Sequence, residues 1–262
     1  HDTPHKMINK IIFPCVIKPT FLSASRGVIR VNTIEELAYG IKTLNELLSL
    51  EEVRERGGEQ SDWILVEEYI PGKEVAIEGI VAEGKLKVLA VFDKPEPLEG
   101  PTFEETIIVT PTALSEKNQF SLFETAQNAV KALGIVKGPV HVEVRINSSG
   151  NYILECASRS IGGLCSKVLE FQGGMSLEEL ILRSYLGRNV EKSKLTGSAR
   201  GVMMMPTEKM GILKEMRGVE DALNVKGVTD LQITVKPGEK LEPLPKGDRY
   251  LGFIFAEDKD QE

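Results

Sequence analysis

Two glutamates, Glu143 and Glu155, lie in a stretch of the chain that has the pattern of a β-hairpin. Residues 140–146 alternate apolar with polar side chains, which is the period of a half-buried strand. Residues 148–150, Ser-Ser-Gly, predict a three-residue loop in which Gly150 takes the left-handed conformation that favours glycine. With that loop length, Glu143 is expected directly opposite Glu155, on one face of the hairpin. The same register predicts the pairs Asn147–Asn151, Arg145–Ile153, Val144–Leu154 and Val142–Cys156.

This pairing of two carboxylates predicts a metal site. On strands about 5 Å apart, and at an effective dielectric near 20, the two charges repel by roughly 3 kcal/mol. A divalent cation such as Mg²⁺ turns the repulsion into attraction, because it binds one or two carboxylates together with substrate phosphates. Arg159 follows just beyond the strand, where it could meet an anion carried with the metal. The alternative is a register shifted by one residue, in which Glu143 and Glu155 point to opposite faces as ordinary solvated charges.

A second stretch has the composition of a phosphate-binding loop. Residues 13–19 are an apolar run that predicts a strand with Lys18 near its end. Residues 20–27 are mostly small or hydroxyl-bearing and end in glycine. Backbone N–H groups in such a loop can bind phosphate oxygens, and a lysine adds a point charge. The alternative is a plain β-hairpin to a strand at residues 28–31, with Lys18 exposed.

Three helices are predicted among the elements that position these groups. Residues 33–36 and 176–179 are capping boxes, which mark helix starts. The two helices are expected to run through Leu48 and to Gly187, respectively. Residues 115–134 are amphipathic and predict a third helix.

Strands are predicted where apolar residues cluster between turn signals. They cover residues 63–70, 73–82, 85–93, 201–206, 231–235 and 250–255. The charged residues 51–62 predict an exposed turn or linker, and residues 191–200 predict a polar linker before a small β-rich unit. The paired glycines Gly162 and Gly163 suit either a bend beside a ligand or a simple turn. Cys165 follows them and is expected to be a buried thiol.

The composition is that of an ordinary globular protein, with 262 residues of which 41% are hydrophobic and 27% charged. The net charge of −7 argues against general nucleic-acid binding, which needs a basic face. Three cysteines without CxxC spacing predict neither a disulfide framework nor a zinc site, and they suit a reducing, cytoplasmic location. No run of about 18 apolar residues is present, so no membrane span is predicted.

Taken together, these motifs resemble those of the ATP-grasp superfamily, and within it the L-amino acid ligase type of carboxylate–amine ligase. The likeness runs from about residue 12 to residue 190. It rests on the combination of FPCVIKP with SASRG, then LVEEYIPGKE, FDKPEP, FEET, and HVEVR followed by ILECASRSIGG. The resemblance implies an α+β ATP-grasp fold, in which two α+β subdomains clamp ATP, followed by a small β-rich C-terminal domain. The corresponding segments are residues 1–70, 71–190 and 191–262.

The resemblance also implies a role for individual residues. The residues that would bind ATP are Lys18 at the phosphates, Ser23, Ser25, Arg26 and Gly27 in the loop over them, Glu67, Glu68, Tyr69 and Ile70 at the adenine, and Glu74 at the ribose. Glu143 and Glu155 would bind Mg²⁺, with Mn²⁺ as an alternative ion. Arg159 would be the catalytic arginine that neutralises the acyl phosphate and the tetrahedral intermediate. The residues beside the substrates would be Gly162 and Gly163 for the carboxylate, and Glu105 and Lys94 for the amine.

The implied activity is ATP-dependent joining of a small carboxylate to a small amine, by an enzyme that could be a homodimer. The alternatives are a nucleotide-binding fragment or subunit without turnover of its own, or an ATP-grasp carboxylase or kinase. The sequence departs from the family at Ala157, where an asparagine often binds metal, and at Ile108, where some ligases carry a histidine. The phosphate loop is also poor in glycine. The family's N-terminal domain and its first ATP lysine have no counterpart here, so a fragment of a longer ligase is expected.

Overall fold

The computed structural model describes residues 10–190 and 192–260. Its helices are α1 (Ile34–Leu48), α2 (Glu51–Gly57), α3 (Glu116–Ala132), α4 (Leu177–Tyr185) and α5 (Val219–Leu223), with short 3₁₀ helices at Gly58–Asp62 and Cys165–Val168. Its strands are β1 (Cys15–Pro19), β2 (Ile29–Val31), β3 (Ile64–Glu68), β4 (Lys73–Ala82), β5 (Lys85–Asp93), β6 (Ile107–Thr110), β7 (Lys137–Asn147), β8 (Gly150–Ala157), β9 (Glu170–Phe171), β10 (Met175–Ser176), β11 (Ala199–Met205), β12 (Gly211–Ile212), β13 (Val228–Ile233), β14 (Lys240–Leu241) and β15 (Gly252–Asp258).

The largest unit is an eight-stranded sheet in the order β13-β15-β11-β6-β5-β4-β7-β8, whose neighbouring strands are antiparallel. Its two faces are covered by different cores. On one face α3 packs its buried side chains Leu122, Ala126 and Val130 against valines of β4 and β7. On the other face α4 and the C-terminal strands surround Phe92 and Ile108. The central strands are therefore buried on both sides, which explains their long apolar runs.

A second, smaller sheet has the order β2-β1-β3 and is covered by α1. The predicted start of α1 is confirmed, since the Thr33 hydroxyl accepts a hydrogen bond from the Glu36 N–H. The Glu36 carboxylate accepts from the Asn32 N–H at 2.7 Å rather than from the Thr33 N–H of a complete capping box. Leu44 and Leu47 of α1 pack on Ile17 of β1, and all three are essentially fully buried. The predicted helices that follow Ser115 and Ser176 are also confirmed, each with the serine as its N-cap.

Two predictions in this sheet region were wrong. Residues 51–62 are helical rather than a turn or linker, because Val53 is drawn into the small core and orders the charged residues around it. The strand predicted at residues 63–70 is shorter and only half-buried, with Trp63 46% exposed. Its position at the edge of the three-stranded sheet leaves one side without a neighbouring strand.

The hairpin of β7 and β8 keeps the predicted pairing of the two glutamates by a different route. The loop has two residues rather than three, and the Asn147 side chain caps it by accepting a hydrogen bond from the Ser149 N–H at 2.8 Å. A β-bulge at Leu154 then restores the register, so Glu143 lies opposite Glu155. Of the other predicted pairs, Val142–Cys156 is confirmed, whereas Asn147–Asn151, Arg145–Ile153 and Val144–Leu154 are wrong by one residue.

The C-terminal strands β11, β13 and β15 continue the eight-stranded sheet, with β11 hydrogen-bonded to β6. The division of the chain at residues 70/71 and 190/191 remains a prediction. None of the helices within residues 10–190 and 192–260 combines the length and apolar character that a transmembrane span requires.

Candidate active site

A cavity of about 700 Å³ is lined by residues of both sheets. One wall comes from β1, the loop after it and β3, and the other comes from β4, β7 and β8. Its volume lies within the range of about 300–1,000 Å³ that is usual for small-molecule sites. The sequence therefore folds so that its two candidate chemical stretches, the small-residue loop and the two-glutamate hairpin, share one space.

The cavity gathers most of the residues singled out from the sequence. Those that line it are Lys18, Ser23, Ser25, Arg26, Glu67, Glu68, Tyr69, Ile70, Glu74, Glu105, Glu143, Glu155 and Arg159. Gly27, Lys94, Gly162 and Gly163 do not. The Gly27 N–H donates to the Pro245 carbonyl at 2.8 Å, so this amide is already engaged.

The facing glutamates of the hairpin have different surroundings. The carboxylate of Glu155 is half-exposed and pairs with Arg159 at 3.2 Å. The carboxylate of Glu143 is mostly buried and receives hydrogen bonds at Oε1 from Lys94 at 3.1 Å and from His141 at 3.3 Å. Burial pushes the pKa of Glu143 upward, but the charges of Lys94 and His141 outweigh it and hold the pKa well below its ordinary value.

Glu143 also belongs to an acidic cluster with Glu74 and Glu105, whose nearest carboxylate oxygens lie within 4.8 Å of one another. The ammonium of Lys94 lies among them, at 2.7 Å from Glu74 and in contact with Glu105. Burial disfavours the charged ammonium, yet the carboxylates of Glu143, Glu105 and Glu74 raise the pKa of Lys94 well above its ordinary value. Lys94 is therefore an internal counterion of this cluster, and its side chain is only 3% exposed.

Arg145 holds this cluster to the wall of the cavity and was not predicted as a site residue. Its guanidinium donates to Glu74 at 2.9 Å and to the carbonyls of Ile70, at 2.7 Å, and of Leu98. Its position on the same strand face as Glu143 was available from the alternation of β7. The carbonyl acceptors that fix it lie far away in the sequence and gave no signal.

Glu78 and His141 form a second group that sequence reasoning missed. Nδ1 of His141 contacts Glu78 Oε1, and Nε2 faces Glu143. Burial alone would lower the pKa of His141, but the hydrogen bonds with Glu143 and Glu78 raise it to about 9. The one available signal was a lone glutamate inside the apolar run 75–81 of β4.

The loop over the other end of the cavity is held in a strained conformation. Ala24 and Ser25 both have positive φ, at 57° and 54°, although neither is glycine. Such positions cost of order 1–3 kcal/mol each and are usually maintained by surrounding contacts. Here Arg26 donates to the Lys246 carbonyl at 2.7 Å. Lys18 on β1 forms an ion pair with Glu67 across the sheet.

Aromatic side chains form the remaining wall. Tyr69 and Phe103 stack with their ring centroids 6.5 Å apart. The Arg30 guanidinium lies 4.0 Å from the Tyr69 centroid, and the Arg145 guanidinium lies 5.2 Å from it. The aromatic faces suit a planar ligand, while the opposite end of the cavity presents carboxylates and cations.

Comparison with known proteins agrees with this arrangement. The family described as the ATP-grasp domain matches residues 11–168, which is more than half of the chain. The chain belongs to the ATP-grasp family. The family described as L-amino acid ligase C-terminal domain 2 matches residues 203–262. The resemblance and the α+β ATP-grasp fold that were inferred from the sequence motifs are confirmed.

Several ATP-grasp relatives are ligases by name. The chain is 27% identical over 189 residues to alanine–anticapsin ligase of Bacillus subtilis (strain 168), covering 67% of this chain and 39% of that protein. It is 28% identical over 188 residues to D-alanine–D-alanine ligase of Flavobacterium johnsoniae, covering 67% of this chain and 52% of that protein. The crystal structure of L-amino acid ligase from Bacillus licheniformis superposes with a TM-score of 0.80 at 26% identity, covering 98% of this chain and 62% of that one. The chain thus spans less than two thirds of each of these relatives.

The residues of the cavity fit the ATP and Mg²⁺ that the family implies. Mg²⁺ prefers carboxylate oxygens, and the facing pair supplies them. The carboxylates of the acidic cluster already have the Lys94 ammonium among them, and Glu143 belongs to both groups. Lys18 and Arg26 supply cations at the strained loop, and Tyr69 supplies an aromatic face. The assignment of individual roles to these residues remains a prediction.

Proposed function

We propose that this protein is an ATP- and Mg²⁺-dependent carboxylate–amine ligase. The γ-phosphoryl group of ATP passes to a substrate carboxylate, which gives an acyl phosphate and ADP. An amine then attacks the acyl carbon, phosphate leaves, and an amide bond forms. The observation that carries this proposal is that Glu143 and Glu155 face one another at the same cavity as Lys18 and Arg159.

Residues of the small sheet and its loop bind the nucleotide. The base lies in the part of the cavity that Tyr69 and Ile70 line, where apolar surface suits a planar ring. Lys18 and Arg26 balance phosphate charge, which requires Lys18 to exchange its ion pair with Glu67 for the nucleotide.

Glu143 and Glu155 hold the metal. When bound, Mg²⁺ neutralises charge on the phosphate oxygens. Lys94 and His141 keep Glu143 ionised and fixed at its Oε1 atom, which preserves lone pairs at the other oxygen for the cation. Mn²⁺ substitutes for Mg²⁺ in this oxygen environment.

Arg159 and Glu105 act on the reacting groups. Arg159 is half-exposed at the cavity, so its guanidinium can turn from Glu155 to the oxygens that gain charge during transfer. Glu105 lies at the cavity wall beside Lys94, where it attracts the amine substrate.

A screen of phosphate release over pairs of small carboxylates and amines tests the proposal. Mass spectrometry of the products is expected to show ADP and a conjugate lighter by one water than the sum of the two substrates. The variant that tests the metal site is Glu155→Gln, which removes a charge at a half-exposed position without changing the side-chain size.

Three results would contradict parts of this proposal. Full substrate-dependent ADP release by Glu155→Gln would refute the metal assignment. ADP release that depends on bicarbonate, without a conjugate, would identify a carboxylase. Thermal stabilisation by ATP and Mg²⁺, with no ADP formed from any substrate pair, would identify a nucleotide-binding protein without turnover.

A further inference from the structure

A chain of hydrogen bonds runs from the candidate metal ligand Glu143 into the sheet and out to the loop after β8. His141 Nε2 lies 3.3 Å from Glu143 Oε1, and His141 Nδ1 contacts Glu78 Oε1. The second oxygen of Glu78 accepts a hydrogen bond at 3.0 Å from the Ile161 N–H. Four residues from three parts of the sequence are therefore linked in series.

The register of the sheet explains why these groups meet. Glu78 on β4 is directly opposite His141 on β7, and Ala76 is directly opposite Glu143. Side chains two residues apart on a strand share a face. The small Ala76 side chain leaves room beside Glu143, so the imidazole can reach that carboxylate as well as Glu78.

The position of this pair is unusual for a charged group. Glu78 is 1% exposed and His141 is 4% exposed, and the neighbouring residues Ile80 and Phe92 belong to an apolar core. Apolar side chains of similar volume would fill such a position with little loss of stability, or with a gain. Folding alone therefore does not call for a carboxylate and an imidazole here.

We propose that Glu78 and His141 are positioning residues that couple the metal-binding carboxylate of Glu143 to the loop at residues 160–163. This inference rests on the proposed function. Glu78 fixes the plane of the imidazole through Nδ1, and Nε2 then fixes Glu143 Oε1. Groups that orient a metal ligand in this way set its direction without touching the metal. The same Glu78 carboxylate anchors the loop that begins beside Arg159.

Two variants separate the two ends of this chain. Glu78→Met keeps the approximate size of the side chain but removes both acceptor oxygens, so it affects both ends. His141→Asn removes the link to Glu143 and leaves Glu78 to bind Ile161. The matched control is Asp93→Asn, a buried carboxylate on β5 that accepts from Thr112 and Ala113.

The first measurement is the dissociation constant of Mn²⁺ in the presence of ADP, followed by electron paramagnetic resonance. Glu78→Met and His141→Asn are each expected to weaken Mn²⁺ binding by about 10- to 100-fold, which is the usual cost of losing such a partner. The double variant is expected to bind Mn²⁺ with the same affinity as the His141 variant. Glu78 acts on Glu143 only through His141, so its removal has no further effect once His141 is absent. The Asp93 control is expected to bind Mn²⁺ like the wild type.

The second measurement is hydrogen–deuterium exchange of the peptide that contains Ile161. Glu78→Met is expected to speed exchange of this amide, because no acceptor remains for it, whereas His141→Asn leaves it protected. This readout needs neither substrate nor metal, and it reports even where a variant binds nucleotide poorly.

The outcomes distinguish this inference from the proposed function. A wild-type protein that does not bind Mn²⁺ with ADP would contradict the proposed function itself. Wild-type Mn²⁺ affinity in both variants, fully additive losses in the double variant, or losses matched by the Asp93 control would each overturn the coupling. Unchanged exchange at Ile161 in Glu78→Met would overturn the anchoring of the loop.

Discussion

Replacement of Lys94 by methionine tests whether the acidic cluster depends on its internal counterion. The ammonium lies 2.7 Å from Glu74 and 3.1 Å from Glu143, and its side chain is 3% exposed. At an effective dielectric of 20 these two contacts correspond to attractions of about 6 and 5 kcal/mol, which desolvation of the charges largely offsets. Without the lysine, carboxylate oxygens within 4.8 Å of one another repel by about 3 kcal/mol per pair.

The loss of folding free energy in Lys94→Met depends on the carboxylates that it leaves unpaired in the interior. Removing one partner of a buried ion pair costs about 3–5 kcal/mol. At about 2–4 °C per kcal/mol for a chain of this size, Lys94→Met is expected to lower the melting temperature by roughly 6–20 °C. Mg²⁺ is expected to recover part of this loss, because a cation that binds only the folded protein stabilises it.

The assay is thermal unfolding with and without Mg²⁺, and Lys167→Met is the control. Lys167 forms an ion pair of 3.4 Å with Asp230, and both side chains are exposed, so its removal is expected to cost less than about 1 kcal/mol. A second variant, Lys94→Met with Glu105→Gln, is expected to melt above Lys94→Met alone, because one carboxylate is neutralised. If Lys94→Met melted like Lys167→Met, or Glu105→Gln gave no recovery, the counterion reasoning would be refuted.

Three further predictions concern the cavity and its surroundings. Glu143→Gln and Glu155→Gln are each expected to abolish Mg²⁺-dependent ADP release, measured by a coupled assay; retained activity in either would show that its carboxylate is not a ligand. Arg159→Met is expected to lower kcat about 10²- to 10³-fold, because one donor to developing charge is lost. Its melting temperature should change little, since the arginine is 47% exposed; a large fall in melting temperature with normal kcat would contradict the assignment. Burial raises the pKa of the Cys165 thiol from 9.0 to about 12, so iodoacetamide at pH 8 should modify it in urea but not in the native protein. The same shift means that stability falls as the pH rises from 9 towards 12, and rapid native alkylation at pH 8 would disprove it.

Much of the architecture could be predicted from local patterns. The capping residues Thr33 and Ser176, together with the apolar residues that follow them, were sufficient for two helices, because N-capping is a contact within four residues. Residues 51–62 could not be predicted, since what orders them is the packing of Val53 in a core formed by distant residues.

The candidate site was likewise predicted only in part. The predicted pairing of Glu143 with Glu155 is confirmed, but the loop is one residue shorter than predicted and the bulge at Leu154 compensates for it. Neither the bulge nor the Asn147 cap that shortens the loop had a signal strong enough to outweigh the Ser-Ser-Gly pattern.

The sequence by itself determined which residue types were available and which of them shared a strand face. It therefore determined the paired glutamates, the small-residue loop and the family. The tertiary structure decided the electrostatics, because a charge is set by its neighbours across strands rather than along the chain. Lys94 was expected beside the amine substrate; it does not line the cavity, and its ammonium lies among three carboxylates. The link from Glu78 through His141 likewise exists only where β4 and β7 pair, since those residues are 63 positions apart.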